Sequence, residues 1–389
     1  MRRTAIVGVG HSKFGNRGDV NLSELAFESI KEALLDAHLT QKDIESVFVG
    51  TQGWGWYEER IPEAAVADYA GLNPAGLCYV SAACASGSAA VRATYTAVAS
   101  GFADIAMAVG IEKMTELDTP TVVDLIGRAG CYTWEFENFG LTFPGFYALH
   151  ANAHMSKYGT TQEQLAMAAV KNHKYGAMNP KAQFQREITV EDVLKSRMVA
   201  YPLKMYDCCP MTDGSATIIL ASEEKARKIT DTPIWIKGMG AASGSANLSK
   251  RPNYVGVLSA FLAAQQAYKM AGINPEDLDV ALVHDCFTIA EIMAYEDLGF
   301  CNKGEGGRLI QEGQTYIGGK IPVNVDGGLK AKGHPIGATG VAQCAELTKQ
   351  LRGEAGNRQV PLKKGLGLAH NVGGSGQFGN VTIFGREES

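Results

Sequence analysis

The hydrophobic pattern from the amino terminus to Ile111 alternates between short apolar runs and longer amphipathic segments. The longest amphipathic segment, Leu22 to His38, repeats its apolar residues at helical spacing, and Asn21 or Ser23 can cap it. The other elements that the pattern predicts are strands at 4–10, 44–50 and 104–111 and a helix of small residues at 85–100. Strand–helix alternation of this kind predicts an α/β fold with helices packed on sheets.

The alternation stops after residue 111 and resumes near residue 206. The intervening stretch is richer in aromatic and charged residues and contains one clear helical pattern, Gln162 to Tyr175. The strands predicted beyond it are 216–221, 234–239, 279–284, 367–371 and 379–384, and the helices are 258–271, 289–298 and 336–351. We therefore predict three regions, which are an N-terminal half at 1–111 and 206–230, an inserted loop domain at 112–205 that builds the substrate pocket, and a C-terminal half at 231–389.

The two predicted halves resemble each other in sequence. Asp43 to Gly50 aligns without a gap on Asp277 to His284, and the helices before these segments match in the same register. A second match places 84–87 on 334–337. Two matches in the same order indicate a duplication. The predicted fold is therefore two duplicated βαβαβ-type halves with stacked mixed sheets, helices between and around them, and the inserted loop domain.

Composition and charge exclude several classes of protein. The 36 basic residues against 41 acidic ones give a net charge of −5 without a basic block, which argues against nucleic acid or an anionic membrane as a partner. The most apolar region, 81–110, is interrupted by Arg92 and Asp104, so it does not predict a membrane span. Eight cysteines without a C-x-x-C pair, in a chain whose first residues lack a signal-peptide pattern, predict reduced thiols in the cytoplasm.

Two reactive residues precede segments of small residues at predicted helix starts. Cys84 is followed by A-S-G-S-A-A, where the helix dipole and unpaired N–H groups would lower its pKa and favour the thiolate. His334 precedes Pro335, which suits a first helical turn, and an imidazole there favours the neutral form that accepts a proton. Taken alone, the first also fits an inert core cysteine and the second a capping histidine.

The segment V-H-D-C-F, 283–287, ends a predicted buried strand. Because alternate residues of a strand share a face, His284 and Cys286 can point into one cavity while Asp285 points away. A metal pair is the weaker alternative, because no other clustered ligands support it. The glycine-rich loop at 367–376 offers backbone N–H groups to an oxyanion. A thiol, two candidate bases and a donor loop together predict acyl transfer.

These motifs together resemble those of the thiolase family over nearly the whole chain. A-A-C-A-S-G around Cys84 resembles the family's acylated nucleophile, and G-H-P around His334 its histidine motif. Two departures matter, because better-known members have N-E-A-F where this chain has H-D-C-F and a second cysteine where this chain has Asn371. H-D-C-F and H-N-x-G are similar to the sterol-carrier-protein-type and archaeal members. There the acid/base cysteine comes from H-D-C-F.

The resemblance implies a role for each of these residues. Cys84 would be acylated and His334 would take its proton, while Cys286 would remove an α-proton and His284 would hold the enolate oxygen with His334. The backbone N–H groups of Cys84 and Gly373 would stabilise the tetrahedral oxyanion. A looser match to the family's acyl-pocket segment makes His154 and Met155 candidates for substrate binding.

The implied activity is that of an acetyl-CoA C-acetyltransferase, which condenses two acetyl-CoA into acetoacetyl-CoA and catalyses the reverse thiolysis. Coenzyme A thioesters would be the substrates, with no cofactor and no metal. A homodimer or tetramer is implied. Archaeal relatives also imply a place in the mevalonate pathway and association with 3-hydroxy-3-methylglutaryl-CoA synthase through a small zinc-binding bridging protein. The alternatives are a decarboxylative ketoacyl synthase, which would give Cys286 no role, and a catalytically silent subunit that binds acyl-CoA or scaffolds partners.

Overall fold

The computed structural model describes residues 1–53 and 60–386. Its strands are β1 (Thr4–His11), β2 (Ser46–Gly50), β3 (Gly76–Val80), β4 (Ile105–Glu112), β5 (Met198–Ala200), β6 (Leu203–Lys204), β7 (Gly214–Ser222), β8 (Ile234–Ser243), β9 (Val280–Leu282), β10 (Leu366–Gly373) and β11 (Phe378–Gly385). Its α-helices are α1 (Leu22–Asp36), α2 (Pro62–Ala70), α3 (Ser86–Ser100), α4 (Thr119–Gly127), α5 (Phe143–Tyr158), α6 (Gln162–Ala177), α7 (Val190–Lys195), α8 (Glu223–Ile229), α9 (Leu258–Ala271), α10 (Thr288–Asp297), α11 (Gly306–Gln311) and α12 (Thr339–Arg352). Within these residues, no helix has the length and apolar character that crossing a membrane requires. Strands and helices alternate in both halves, so the predicted α/β architecture is confirmed.

Nine of these strands form one mixed sheet in the order β3-β2-β4-β7-β1-β8-β11-β10-β9. β2 is parallel to β3 and β4, whereas β7 is antiparallel to β4 and β1. On the other side, β9 is parallel to β10, and β11 is antiparallel to β10 and β8. The pairs Ala5–Trp235 and Ile6–Ile234 join β1 to β8. The sheet therefore repeats one four-stranded arrangement, as β1-β7-β4-β2 and as β8-β11-β10-β9, and the two sections meet at β1 and β8. Strand β3 is an additional strand at the edge of the first section.

The duplication is visible where β1 meets α1 and where β8 meets α9. A Cβ atom at Gly10 would lie 1.9 Å from the carbonyl oxygen of Ser29, and one at Gly240 would lie 1.9 Å from that of Ala263. The gapless alignment found in the sequence, extended backward along the chain, pairs Ser29 with Ala263. Glycine is required in both strands because a side chain would collide with the helix backbone. This repeated close approach confirms the predicted duplication.

The second predicted match has the wrong register. Helices α3 and α12 pack against each other, and a Cβ atom at Gly340 would lie 2.3 Å from the backbone nitrogen of Ser88. One at Gly87 would lie 3.1 Å from the backbone nitrogen of Gly340. Helix α3 begins at Ser86, two positions after Cys84, whereas α12 begins at Thr339, five positions after His334. His334 therefore lies further from the start of α12 than Cys84 lies from the start of α3. The two residues do not occupy equivalent positions of the repeat.

The inserted region is more regular than its sequence predicts. Besides the predicted helix α6, residues 112–205 contain α4, α5, α7 and the paired strands β5 and β6. The hydrophobic pattern misses α5 because its buried residues Phe146, Tyr147, His150 and His154 include polar side chains. Helices α4 and α5 matter most for the site, because both contribute to the wall of its cavity.

Candidate active site

A cavity of about 190 Å³ lies where the loops before α3, α10 and α12 meet the turn between β10 and β11. Helices α4 and α5 cover it with apolar side chains. Among the described residues, its wall includes four thiols and two imidazoles, which belong to Cys84, Cys208, Cys209, Cys286, His284 and His334. The reactive residues that the sequence predicts therefore meet in one place, although more than half of the chain separates Cys84 from His334.

Cys84 lies in a strained turn ahead of α3. Ala83 has a φ of 52°, in the left-handed region that residues with a Cβ atom seldom adopt. The hydroxyl of Ser86 holds this turn, because it accepts a hydrogen bond from the Ala82 N–H at 2.9 Å and donates one to the Ala83 carbonyl at 2.7 Å. Strain of about 1 kcal/mol persists only where surrounding contacts enforce it. The turn places the Cys84 thiol on the wall of the cavity.

The prediction of a thiolate at Cys84 is wrong for the free protein. Burial raises the pKa of the Cys84 thiol to about 12, although the N–H groups of Gly374 and of Cys84 itself lower it. Loss of hydration therefore outweighs the N–H groups and the helix terminus near the sulfur. A neutral thiol needs a base that takes its proton as it attacks.

His334 is placed to be that base. Its backbone N–H donates to Oγ1 of Thr212 at 3.0 Å, and its Nδ1 lies 2.7 Å from Oγ1 of Thr339. The Thr339 hydroxyl donates its own hydrogen to the carbonyl of Pro335 at 2.9 Å, so it accepts the hydrogen of Nδ1. The lone pair of His334 therefore lies on Nε2, which has no hydrogen-bond partner among the described residues.

Burial also keeps His334 neutral. It lowers the pKa of the imidazole to about 3, and the charges of Lys330 and Lys332 lower it further. The side chain is therefore a proton acceptor throughout the physiological pH range. The predicted neutral form agrees with this environment, but its cause is burial and not the helix dipole.

The helix after this histidine begins later than predicted, because α12 starts at Thr339. The loop before it is held by Glu112 at the end of β4. This buried carboxylate accepts hydrogen bonds from the backbone N–H groups of Gly337 and Gln52 at 3.0 and 2.9 Å. The position of the histidine is therefore set by loop contacts between the two halves.

His284 faces His334 across the cavity, with ring centroids 5.1 Å apart and planes at 78°. The strand β9 ends at Leu282, earlier than predicted, so the histidine lies in the loop that leads to α10. Nδ2 of Asn371 lies 3.0 Å from its Nδ1. Because an amide nitrogen only donates, this contact places the His284 hydrogen on Nε2. Burial lowers its pKa well below the usual value. The two histidines are thus held in opposite tautomers.

One side-chain atom from each of Cys84, His284 and His334 lies within 4.8 Å of the others. Cys286 lies on the same cavity wall. Asp285 points away, as predicted, and accepts hydrogen bonds from the Asn172 amide at 2.7 Å and the Leu329 N–H at 2.8 Å. The three grouped atoms are also of the kinds that zinc binds. The prediction that no metal binds stays a prediction.

Two predicted binding groups lie elsewhere. His154 is completely buried, with Nδ1 2.7 Å from Oγ1 of Thr160 and Nε2 3.1 Å from both carboxylate oxygens of Glu296. Neither His154 nor Met155 belongs to the cavity wall, so the structure does not support an acyl-pocket role for them. His154 and Met155 lie near the C-terminal end of α5, which is the part that the acyl-pocket resemblance covers. The residues of α5 that reach the cavity, including Tyr147, lie near its N-terminal end.

The glycines of the predicted oxyanion loop lie beside the Cys84 thiol. Gly373 ends β10, and a Cβ atom there would lie 2.1 Å from the carbonyl oxygen of Ala82. The next residue, Gly374, lines the cavity, and its N–H lowers the pKa of the Cys84 thiol. The neighbouring N–H group that acts on the sulfur is thus that of Gly374, and the oxyanion role of Gly373 stays a prediction.

A buried thiol beside a neutral imidazole in a mostly apolar cavity is an arrangement that nucleophilic catalysis uses. The fold and the site together define an α/β protein built from two duplicated halves, with a thiol and two imidazoles grouped in one buried cavity. Residues 3–224 match the family description "Thiolase, N-terminal domain", and residues 240–386 match "Thiolase C-terminal domain-like". The chain belongs to the thiolase family.

Individual relatives agree with this assignment. The chain is 47% identical to an acetyl-CoA acetyltransferase of Methanothermobacter thermautotrophicus over 388 residues, which cover 99% of this chain and 100% of the relative. It is 41% identical to an acetyl-CoA acetyltransferase of Methanocaldococcus jannaschii, with 98% of both chains covered. Among solved structures, the Ltp2-ChsH2(DUF35) aldolase has a TM-score of 0.85 at 28% identity, covering 100% of this chain and 98% of that chain.

Proposed function

We propose that this chain is an acetyl-CoA C-acetyltransferase, a transferase that condenses two acetyl-CoA molecules into acetoacetyl-CoA through an acetylated Cys84. The observation that supports this most directly is the meeting of Cys84, His284 and His334 within 4.8 Å, on a cavity wall that also contains Cys286. Relatives at 47% and 41% identity are named acetyl-CoA acetyltransferase. No other cofactor is needed, because coenzyme A thioesters supply the acyl groups.

The first half-reaction acetylates Cys84. Nε2 of His334 takes the thiol proton as the sulfur attacks the thioester carbon, and the bond from carbon to coenzyme A sulfur breaks. The neutral thiol of Cys286 gives its proton to the departing coenzyme A thiolate, which leaves Cys286 ionised. The backbone N–H groups of Cys84 and Gly373 would stabilise the tetrahedral oxyanion, and such donors are the largest single contribution in many acyl transfers.

The second half-reaction forms the carbon–carbon bond. The Cys286 thiolate removes an α-proton from a second acetyl-CoA, and the resulting enolate attacks the acetyl carbonyl on Cys84. The Cys84 thiolate leaves and recovers its proton from His334, so each group returns to its starting state. His284 presents Nε2–H, which donates to the enolate oxygen in a cavity where water competes little. Burial raises the pKa of Cys286, so the thiol is protonated before the first step and the thiolate that this step leaves is a strong base for the second.

The size of the cavity supports a short acyl chain. A cavity of about 150 Å³ in another protein holds the six carbons of benzene. The cavity here, about 190 Å³, therefore accommodates the acyl group and sulfur of an acetoacetyl thioester. Val122 of α4 is fully buried and is part of the apolar wall that limits the cavity.

Incubation with acetyl-CoA and intact-mass measurement test the proposal. The wild-type chain is expected to gain one acetyl group, located on Cys84 by peptide mapping, and to release coenzyme A. Cys84→Ala should gain none, and assays with acetoacetyl-CoA plus coenzyme A across chain lengths should show thiolysis. An absent acetyl adduct would favour the silent subunit, and activity only with malonyl thioesters would favour a ketoacyl synthase.

Asn371→Asp is expected to lower the rate of condensation about 100-fold, the usual effect of losing one oxyanion donor. A carboxylate at position 371 can only accept a hydrogen bond, so it favours the tautomer of His284 that carries its hydrogen on Nδ1. Nε2 then has no hydrogen to donate to the enolate oxygen. Asn371→Ala removes the contact without imposing a tautomer and should lose less activity. Steady-state rates at saturating acetyl-CoA compare the three proteins, and equal losses in both variants would exclude tautomer control by Asn371.

The proposal includes a homodimer or tetramer. Strand β3 is at the edge of the sheet, and no described strand pairs with its outer side. Phe102 is 79% exposed and Phe378 41% exposed beside a groove of about 960 Å³, which Val80 of β3 also lines. An unpaired edge with exposed aromatic side chains is a surface that a second copy would cover.

The remaining expectations concern the cellular setting. All eight cysteines are free thiols, which supports the predicted reducing cytoplasm. The name of the Ltp2-ChsH2(DUF35) aldolase joins two proteins, which supports the expectation of a protein partner for this chain. A place in the mevalonate pathway and association with 3-hydroxy-3-methylglutaryl-CoA synthase through a zinc-binding bridging protein stay predictions.

A further inference from the structure

Tyr147 is a polar side chain on the cavity wall that the proposed mechanism leaves without a role. It lies on α5 of the inserted region and is 2% exposed. It packs with Cys286 in one buried cluster, both residues line the cavity, and its hydroxyl lowers the pKa of the Cys286 thiol. Its ring stacks on Phe287, the residue after that cysteine, with centroids 4.6 Å apart and planes at 25°. The tyrosine therefore contacts both Cys286 and its neighbour in the chain.

Other contacts prevent the Tyr147 ring from turning away. Phe146 packs against it edge to face at 5.0 Å, and His150 lies 5.9 Å from it one helical turn along α5. Helix α5 is anchored there, because Nδ1 of His150 lies 2.6 Å from the carbonyl oxygen of Tyr254. A ring fixed on three sides keeps its hydroxyl in one position on the cavity wall that it shares with Cys286.

The chemistry of the two groups fixes the direction of any hydrogen bond between them. Burial raises the pKa of the Tyr147 hydroxyl well above its usual value, so the hydroxyl stays protonated and can donate. Burial also raises the pKa of Cys286, whereas the Tyr147 hydroxyl and then the charge of Lys330 lower it. Hydrogen bonds to charged acceptors are about twice as strong as neutral ones, so this bond strengthens when the thiol ionises.

We infer that Tyr147 is a positioning residue that donates a hydrogen bond to the Cys286 thiolate and so sets its orientation and basicity for α-proton removal. This inference rests on the proposed function for the role of Cys286. Because the donor belongs to the inserted region and the thiol to the C-terminal half, the inserted region contributes to the proton transfer besides forming the acyl pocket.

Alkylation by iodoacetamide in a Cys84→Ala background tests the inference without catalysis. Tyr147→Phe keeps the stacked ring and removes the hydroxyl, so the pKa of Cys286 should rise by about one unit and its alkylation at fixed pH should slow about tenfold. Cys209 on the same wall is the internal control and should react as before. Tyr254→Phe, whose hydroxyl donates to the Leu248 carbonyl at 3.1 Å, is the matched control variant.

Exchange of the α-protons of acetyl-CoA in D₂O gives the catalytic readout. Tyr147→Phe should slow this exchange about 10- to 100-fold and shift its pH dependence to higher pH, while the yield of acetylated Cys84 stays unchanged. An unchanged alkylation rate of Cys286 in Tyr147→Phe would overturn the inference. An alkylation rate that falls equally at Cys209 would also overturn it, because it would indicate a general change in the cavity. A wild-type chain that forms no acetyl-Cys84 would overturn the proposed function and leave the alkylation result interpretable.

Discussion

Cys286→Ser is expected to lower the rate of acetoacetyl-CoA formation by about 10³-fold while leaving the final yield of acetylated Cys84 unchanged. A positioned general base contributes about 10² to 10⁴ in rate, and a serine hydroxyl is far too weak an acid to supply an anion at neutral pH. Acetylation needs Cys84 and His334, and water can protonate the departing coenzyme A. The two half-reactions should therefore separate in this variant.

Three measurements on one preparation check this separation. Intact mass reports acetylation of Cys84, deuterium uptake into acetyl-CoA reports α-proton removal, and absorbance of the product reports condensation. Cys84→Ala is the contrasting variant, because it should lose acetylation and condensation together. If Cys286→Ser condensed a malonyl thioester as well as the parent does, decarboxylation would generate the carbanion and the ketoacyl synthase would be the correct assignment.

The elements that the sequence predicts well are those that bury one complete face. Helix α9 has the predicted bounds, and the glycines of β1 and β8 repeat because the same helix contact repeats. Strand β3 is missed because the first three residues of Gly76–Val80 are exposed at the sheet edge, so no buried alternation marks them. Helix α2, which the pattern also misses, begins at Pro62 and ends at Ala70, a length that carries little periodic signal.

The chemistry of the site is predictable from local motifs, but its electrostatics are not. Cys84, His284, Cys286 and His334 are found from their neighbours in the sequence, and all four line one cavity. The protonation state of Cys84 depends on how much water the assembled cavity excludes, which no local sequence window encodes.

Local sequence motifs also predict only one of the two partners that orient the histidines. The Thr339 hydroxyl belongs to a residue shortly after His334, so the motif G-H-P followed by that threonine could have suggested the contact. Asn371 is distant from His284 in the sequence, and only the pairing of β10 with β9 brings them together. The opposite tautomers of the histidines are therefore a property of the fold.

Acid should unfold this protein through its buried histidines. Burial lowers the pKa of His150 to about 4 and those of His334 and His370 to about 3, and it lowers those of His11 and His284 well below the usual value. Below pH 6.5 the unfolded chain binds protons on these imidazoles that the folded chain excludes, so the free energy of unfolding falls as pH falls. Above pH 6.5 both states are neutral at these groups, and their full contribution to stability is present.

The expected loss at pH 5 is about 2 kcal/mol for each of His150, His334 and His370, and His11 and His284 change the stability in the same direction. Asp285 offsets part of this loss of stability. Burial, followed by the charge of Glu291, raises its pKa to about 7, so as the pH falls the folded chain binds a proton on Asp285 before the unfolded chain does. Urea midpoints at pH 7.5, 6.5 and 5.5 measure the effect. His370→Gln removes one buried imidazole outside the proposed proton transfers and should weaken the pH dependence by about one proton. A midpoint that stays constant from pH 7.5 to 5.5 would show that the buried histidines accept protons in the folded state.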